Sequence, residues 1–395
     1  MSGVQDRIGQ IWKKTTHIRP PVPRPAESSA RFQRTGTERI GRKFAVGLDI
    51  GATSLKWVQL GLVDGKIQVV DLGQESVIHL AGLPEPRKQE QLREIVRQVV
   101  KKNRLSGRAV LSLPMEEASL RFLKMPALPE EELEQAIRWQ IEQTLPAGVS
   151  YEDFTVDYST LQQEAGSQWE SRVLVATAQR RRVMALVEYL RHAGLQPLAV
   201  EIAPFATAAC VEWQHPFQPS ETVLLVHLGA SASSIAIVTK GQFAFGQPMP
   251  ITGATLTQAV ADQIRVTVDQ AEVLKRTHGL LGSAEAASDE ESLVAQALAS
   301  PLENLVLDIL QAFKNFSRQV TQSQVQKFNR VYLSGGTAQL PGLPGWLGTR
   351  LGVPVEVVDP FTAVPIRESV ARLQPWNTMA SRFAVAMGLA LREVP

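Results

Sequence analysis

One cysteine, Cys210, stands among 395 residues. A single thiol cannot close an internal disulfide, so a stapled scaffold is excluded. Cys210 lies in the apolar run 205–211, where it reads as a small buried hydrophobe rather than a catalytic thiol. Also missing is any unbroken apolar run near the roughly 20 residues that span a bilayer. The basic N-terminal start is not followed by an apolar stretch, so secretion is not expected. With 44% hydrophobic residues, the chain has enough apolar material for two lobes of ordinary size, and a cytosolic globular protein is the expectation.

Excess charge is also small, at net +2, but it is unevenly spread. Residues 1–43 hold ten Lys or Arg against three acids, which leaves −5 for the remainder. Pro20, Pro21, Pro23 and Pro25 favour extended chain, so 1–43 reads as a basic, flexible N-terminal extension. Within it, Val4, Ile8, Ile11 and Trp12 share one helical face beside Arg7, Lys13 and Lys14. Such a segment could rest on an anionic membrane surface through residues 1–14. The alternative is a solvated tail, because short isolated helices are marginal.

What the chain does have is an internal echo. Asp49-Ile-Gly-Ala-Thr-Ser-Leu-Lys56 recurs 178 positions later as His227-Leu-Gly-Ala-Ser-Ala. Each copy follows an apolar strand-like run and precedes a second strand, then a tight-turn signal, Asp64-Gly65 or Lys240-Gly241, and a third strand. The pattern is a duplicated three-stranded meander. Glycine at such a turn lets consecutive backbone N–H groups line a concavity that suits an oxyanion. A third element, Leu333-Ser-Gly-Gly-Thr-Ala-Gln-Leu-Pro-Gly-Leu343, follows a short strand, and its paired glycines allow backbone to approach a flat ligand.

In this order, the three loops resemble the phosphate 1, phosphate 2 and adenosine motifs of the actin, Hsp70 and sugar kinase superfamily. Glu272-Val-Leu-Lys275-Arg276 is similar to its Glu-x-x-Lys-Arg helix, which holds ribose and adenine. Within the superfamily, residues 44–395 most resemble the type IV pilus assembly protein PilM family and, more distantly, the cell-division protein FtsA. Leu113-Pro114, Arg121 to Met125 and the helix Glu130 to Leu145 carry the closer likeness, with Val173 to Ala176, Ala193-Gly194-Leu195 and Glu201 to Ala206.

The resemblance implies an α/β, actin-like two-lobe fold of duplicated RNase H-like domains, with an FtsA/PilM-type subdomain inserted in the first lobe. Expected divisions are 44–108 for the first part of lobe one, 109–192 for the insertion, and 193–221 for the return and connecting helix. Lobe two is expected over 222–345, and 346–395 as a closing strand and helices packing back on the lobes. The run Ser283 to Ser292 reads as an exposed loop. The stripe Leu305, Val306, Ile309, Leu310, Phe313, Phe316 and Val320 reads as the core face of a helix.

The implied ligand is ATP or ADP with Mg²⁺. Gly51, Ala52, Thr53 and Ser54 would form the first phosphate loop, and Gly229, Ala230 and Ser231 the second. Gly335, Gly336 and Thr337 would meet the adenosine, with Glu272, Lys275 and Arg276 opposite. Lys56 matches the superfamily lysine that reaches the β and γ phosphates. Asp49, at a strand end, can hold waters of Mg²⁺ rather than touch the metal, and is the first catalytic candidate. A turn-capping carboxylate is the plainer reading of Asp49, an exposed strand lysine that of Lys56, and a solvated helix face that of Glu272, Lys275 and Arg276.

Two positions depart from the family pattern. At His227 the family's second phosphate motif usually carries aspartate. Neutral imidazole is a poor ligand for a hard cation and its protonated form repels one, so hydrolysis should suffer more than binding. His227 could instead fill a strand position facing away from the ligand. Glu201, the second catalytic candidate, sits in a segment similar to the superfamily's Glu-Pro-x-Ala-Ala, but with two extra residues before the proline. It would orient a water, or merely start a helix.

The expectation is therefore an ATP-binding scaffold with weak or no ATPase activity, cytoplasmic and recruited to the cytoplasmic face of the inner membrane. The resemblance implies docking of the N-terminal cytoplasmic peptide of a PilN-like inner-membrane protein, contacts with other pilus assembly proteins, and a candidate homo-oligomer. No nucleic-acid partner is expected. Two alternatives stay open: an FtsA-like tether that polymerises, and a sugar or acyl kinase. The first is disfavoured by the absence of an amphipathic C-terminal extension; the second needs a general base for the acceptor hydroxyl, and one such family's Cys-His metal cluster cannot be built from a single cysteine.

Overall fold

The computed structural model describes residues 40–161, 170–281, 288–320 and 327–394. The expected amphipathic segment and proline-rich stretch lie outside them. Lobe one starts with β1 (Ile40–Ile50), β2 (Ser54–Val63) and β3 (Lys66–Ser76), an antiparallel meander. Asp64 and Gly65 both take positive φ, 49° and 76°, the backbone of a two-residue turn whose twist matches the strands it joins. Helix α1 (Glu85–Asn103) then leads to β4 (Arg108–Leu113), parallel to β1.

An insertion follows. It contains β5 (Ala118–Pro126), α2 (Glu130–Glu142), β6 (Phe154–Leu161) and β7 (Glu170–Gln179), with the strands in a separate antiparallel sheet ordered β5-β7-β6. Three glutamates open α2 behind Pro129, where negative charge suits a helix N-terminus. Its Leu133, Ile137 and Ile141, at helical spacing, pack on Met125, Val173 and Val175 of the sheet. The separate sheet is narrower than the expected 109–192. β4 belongs to the lobe-one sheet, and α3 (Arg180–His192) packs its Val183, Leu186, Val187 and Leu190 into the lobe-one core.

Chain return is through β8 (Gln196–Ile202), parallel to β4, giving the order β3-β2-β1-β4-β8. Helix α4 (Ala203–Gln214), with Cys210 buried as expected, crosses to the second lobe. There β9 (Thr222–Leu228), β10 (Ser233–Thr239) and β11 (Gln242–Met249) repeat the meander, again with positive φ at Lys240 and Gly241. Helices α5 (Gly253–Ile264), α6 (Val268–His278) and α7 (Asp289–Val320) precede β12 (Arg330–Ser334). After α8 (Leu343–Leu351), β13 (Val355–Val357) completes the order β11-β10-β9-β12-β13. The two five-stranded sheets thus match position for position, and lobe two's sheet continues past the expected limit at 345.

Helix α7 corrects two expectations. The acidic run read as a loop through Ser292 is helical from Asp289. Ser288 and Glu291 cap it reciprocally, the Glu291 N–H donating to Ser288 Oγ (3.2 Å) and the Ser288 N–H to the Glu291 carboxylate (2.8 Å). Leu305, Ile309 and Phe316 are fully buried, but Leu310 is 44% exposed, on the solvent flank of the stripe. The Val320 side chain lies outside the described residues. By length and composition, α7 is the one described helix long and apolar enough to cross a membrane. Its buried stripe lies in the lobe-two core.

From β13 the chain passes back over lobe one. Val69 of β3 exchanges backbone hydrogen bonds with Pro365 and Arg367, before α9 (Glu368–Ala371) and a tight helical stretch, Trp376–Phe383. The final helix, α10 (Ala384–Leu391), is buried along its length between α4 and β1. A Cβ at Gly388 would stand 1.8 Å from the Ala206 carbonyl oxygen, so glycine is what allows α4 and α10 to touch. Helix α4 also packs on β9, β10 and β11, and so joins the two lobes.

Candidate functional site

The repeated loops are the same object built twice. In lobe one the last strand pair is Ile50 with Leu55, which leaves a four-residue turn closed by the Gly51 N–H donating to the Ser54 carbonyl (3.0 Å). In lobe two the last pair is Leu228 with Ser233, and the Gly229 N–H donates to the Ala232 carbonyl (3.2 Å). The two glycines therefore spend their N–H groups inside their own turns. Gly51 and Gly229 shape the loops rather than offering donors, and the tips 52–53 and 230–231 carry the groups left for an anion.

Strand register then fixes the side chains. Asp49 pairs with Lys56 across β1 and β2, and their charged ends lie 3.3 Å apart with 13% of each side chain exposed. Ser112, at the end of β4, donates its hydroxyl to the other Asp49 oxygen at 2.8 Å. Asp49 is thus oriented by a cation and a hydroxyl on its two neighbouring strands, rather than capping its own turn.

His227 pairs with Ser234, the lobe-two counterpart of Asp49 with Lys56. Its Nδ1 lies 3.1 Å from Ser334 Oγ on β12. Burial pushes the imidazole pKa down to about 4; Asp49 pulls it up and Lys56 presses it down further. Asp49 and Lys56 of lobe one are thus near enough to act on the charge of His227, whose ring lies beside Gly229 and Gly335. At neutral pH the ring is uncharged.

Behind the second loop, the first N–H groups of α5 are already committed. Gly253 donates to the Gly229 carbonyl and Ala254 to that of Ala230, each at 2.8 Å. Thr337 is buried with its hydroxyl 3.5 Å from the Gly229 carbonyl, which places the third loop against the second. Gly335 has φ +89°, and a Cβ there would lie 2.4 Å from the Leu228 carbonyl oxygen. Its N–H donates to the Ser381 carbonyl (2.9 Å) while the Ser381 hydroxyl donates to its carbonyl (3.0 Å). Packing thus requires glycine at 335. Gly336 differs: a Cβ there would meet only Arg382, at 3.8 Å.

The α6 residues separate into two roles. Lys275 is 4% exposed, and its ammonium donates to the Gly253 carbonyl (3.0 Å), the Thr257 hydroxyl (2.7 Å) and the Glu272 carboxylate (2.5 Å). All three protons are engaged, so Lys275 ties α6 to α5; it is neither a free ligand donor nor part of a solvated face. Glu272 is half-buried and Arg276 exposed.

Glu201 is also redirected. It lies inside strand β8, paired with Ser112 one residue before the strand ends, which excludes a helix-starting role, and its carboxylate pairs with Arg392 just past α10. Burial lifts its pKa to about 7 against the pull of Arg392, and Oε1 has no hydrogen-bond partner among the described residues. The pair ties the lobe-one sheet to the final helix.

Ser112, Ser334 and Arg382 were not foreseen. Each joins the site through a neighbour more than 40 residues away, and no local pattern marks that. Among the described residues no three His, Cys, Asp or Glu side chains converge as a metal site. Mg²⁺ here would depend on phosphate oxygens and water, with Asp49 positioned to hold that water. The residues fit a polyphosphate better than a bare cation.

Comparison with known proteins gives the same outline. The family model for type IV pilus assembly protein PilM matches residues 47–394. A solved structure of a PilM-PilN type IV pilus biogenesis complex is similar with a TM-score of 0.74 and 26% identity, covering 89% of this chain and 98% of that one. The ethanolamine utilization protein EutJ from Carboxydothermus hydrogenoformans is similar with a TM-score of 0.51 and 16% identity, over 99% and 98% of the two chains.

Proposed function

The chain belongs to the type IV pilus assembly protein PilM family, and we propose that it is an ATP-binding scaffold of the pilus machinery, in which nucleotide sets the relative orientation of two actin-like lobes. The observation that carries this reading is one glycine turn built identically at the same place in both lobes, with Asp49 and Lys56 near enough to His227 to act on its charge. A triphosphate between them would meet backbone donors from both tips and the Lys56 charge. Bound nucleotide supplies negative charge and a bridge between lobes. Lys56 would then exchange part of its contact with Asp49 for phosphate, and Asp49, held by Ser112, would turn to water around Mg²⁺.

A neutral His227 supports binding over turnover. It offers no negative charge to a metal and, with its folded-state pKa about 4, is a weak base for an attacking water. Slow or absent hydrolysis follows, with nucleotide acting through population of one lobe arrangement.

The partner we propose is the N-terminal cytoplasmic peptide of a PilN-like protein, held at the cytoplasmic face of the inner membrane. The structural relative is a complex with PilN. Supporting features lie in the insertion, whose sheet has β5 and β6 as edges and whose α2 exposes Trp139 (61%). An extended peptide gains backbone hydrogen bonds at an edge and side-chain pockets beside it. Titrating the full chain with a synthetic peptide of this kind, with and without ATP, tests the reading. Saturable binding whose affinity changes with ATP is expected; no binding in either state would refute the scaffold role.

A further inference from the structure

The segment Trp376–Phe383 passes between the lobes, and its position is fixed by backbone contacts. Ser381 is doubly bonded to Gly335, Gln339 donates to the Thr378 carbonyl (2.8 Å), and Gln74 of β3 reaches the Met379 sulfur (3.7 Å). Arg382 therefore has little freedom in where it starts. Its Nε is buried and has no hydrogen-bond partner among the described residues, and it lies 3.8 Å from where a Gly336 Cβ would be. Arg276 of α6 and Glu272 are close enough to bias its charge. A buried Nε–H with no acceptor is a standing cost, and the nearby Arg276 charge adds to it while Glu272 offsets part. Proteins keep such arrangements where a ligand resolves them.

We infer that Arg382 is a contact for the nucleoside end of the bound nucleotide, its guanidinium packing on the purine base in the space bounded by Gly336 and Arg276. This rests on the nucleotide reading above. A planar guanidinium stacks on aromatic rings and can give Nε–H to an acceptor on the base or ribose. The absence of a side chain at Gly336 leaves that face open. Phosphate is the weaker occupant, because Glu272 stands by the same pair and would repel it, while a carboxylate suits ribose hydroxyls. Arg382 would then set affinity for the nucleoside, whereas Lys56 and the two turns set affinity for the phosphates.

The test uses the full chain, with Arg382→Gln and Arg382→Lys compared with wild type by titration calorimetry against ATP, ADP, AMP and tripolyphosphate, and by thermal unfolding without ligand. ATP, ADP and AMP should each weaken by about tenfold in both variants, the scale of one base-stacking contact, with tripolyphosphate unchanged. The ligand-free melting temperature should hold or rise in Arg382→Gln, because a buried Nε–H without an acceptor and a charge beside Arg276 have been removed. A structural residue would instead lower it and leave affinity intact. Unchanged nucleotide affinity in folded variants, or equal weakening of tripolyphosphate, would overturn this inference alone. Failure of wild type to bind ATP at all would remove the nucleotide reading with it.

Discussion

His227 Nδ1 and Ser334 Oγ lie 3.1 Å apart across the parallel pair β9 and β12, and the bond fixes the neutral imidazole against β12. Burial depresses its pKa from 6.5 to about 4. As pH falls, the unfolded chain therefore takes the proton first. The stability linked to this group is complete above pH 6.5 and is lost as pH falls from 6.5 to about 4. Urea unfolding at pH 7 and pH 4.5 should show a larger loss for wild type than for His227→Gln, which cannot titrate. Parallel losses would contradict the assignment.

Replacing the imidazole by a carboxylate should change metal dependence. His227→Asp places a second negative charge facing Asp49, an arrangement that a divalent cation stabilises and that like-charge repulsion otherwise disfavours. Nucleotide binding should become more strongly Mg²⁺-dependent and ATP turnover should rise above the wild-type level. A variant with wild-type Mg²⁺ dependence would show that position 227 does not face the phosphates.

Neighbouring glycines should separate stability from binding. Gly335→Ala forces a Cβ to 2.4 Å from a backbone oxygen at φ +89°, at a cost of about 3 kcal/mol. Gly336→Ala meets nothing closer than 3.8 Å and should melt within a few degrees of wild type while binding ATP more weakly. Melting curves and ATP titrations of both variants distinguish these outcomes. Equal destabilisation would mean that both glycines are structural.

Above the Glu201 pKa of about 7, the Glu201 and Arg392 pair should behave as a buried ion pair, with 2% and 9% of the side chains exposed. Glu201→Ala takes the carboxylate from a nearly buried guanidinium and should cost about 3–5 kcal/mol. The double substitution Glu201→Leu with Arg392→Met should recover most of that loss. Chemical denaturation of the three variants checks it, and an additive double mutant would show that the two groups do not interact.

Much of this molecule is legible in its sequence. The duplicated meander was readable because Asp64-Gly65 and Lys240-Gly241 encode hairpins locally, and β-period apolar runs flank them. Legibility ended where partners come from elsewhere in the chain. Nothing near Lys275 says that its ammonium turns inward to the Gly253 carbonyl, since helical spacing places Glu272, Lys275 and Arg276 on one face regardless. Asp289 to Ser292 looked like loop by composition, yet acids are favoured in a first helical turn. Leu310 belonged to the right stripe but at its edge, and stripe width depends on packing that periodicity does not contain. Arg382 carries no motif; its isolation appears only once the lobes are assembled.

The central claim is that the opposed turns hold a polyphosphate with Lys56 as its cation. Its most direct test is calorimetric titration of ATP and ADP into wild type and Lys56→Ala in Mg²⁺. Binding of one ATP per chain is expected, with Lys56→Ala weakening ATP roughly ten- to a hundredfold, the scale of a charge-assisted contact, and ADP by less. No heat with wild type, or equal affinities in the variant, would contradict it.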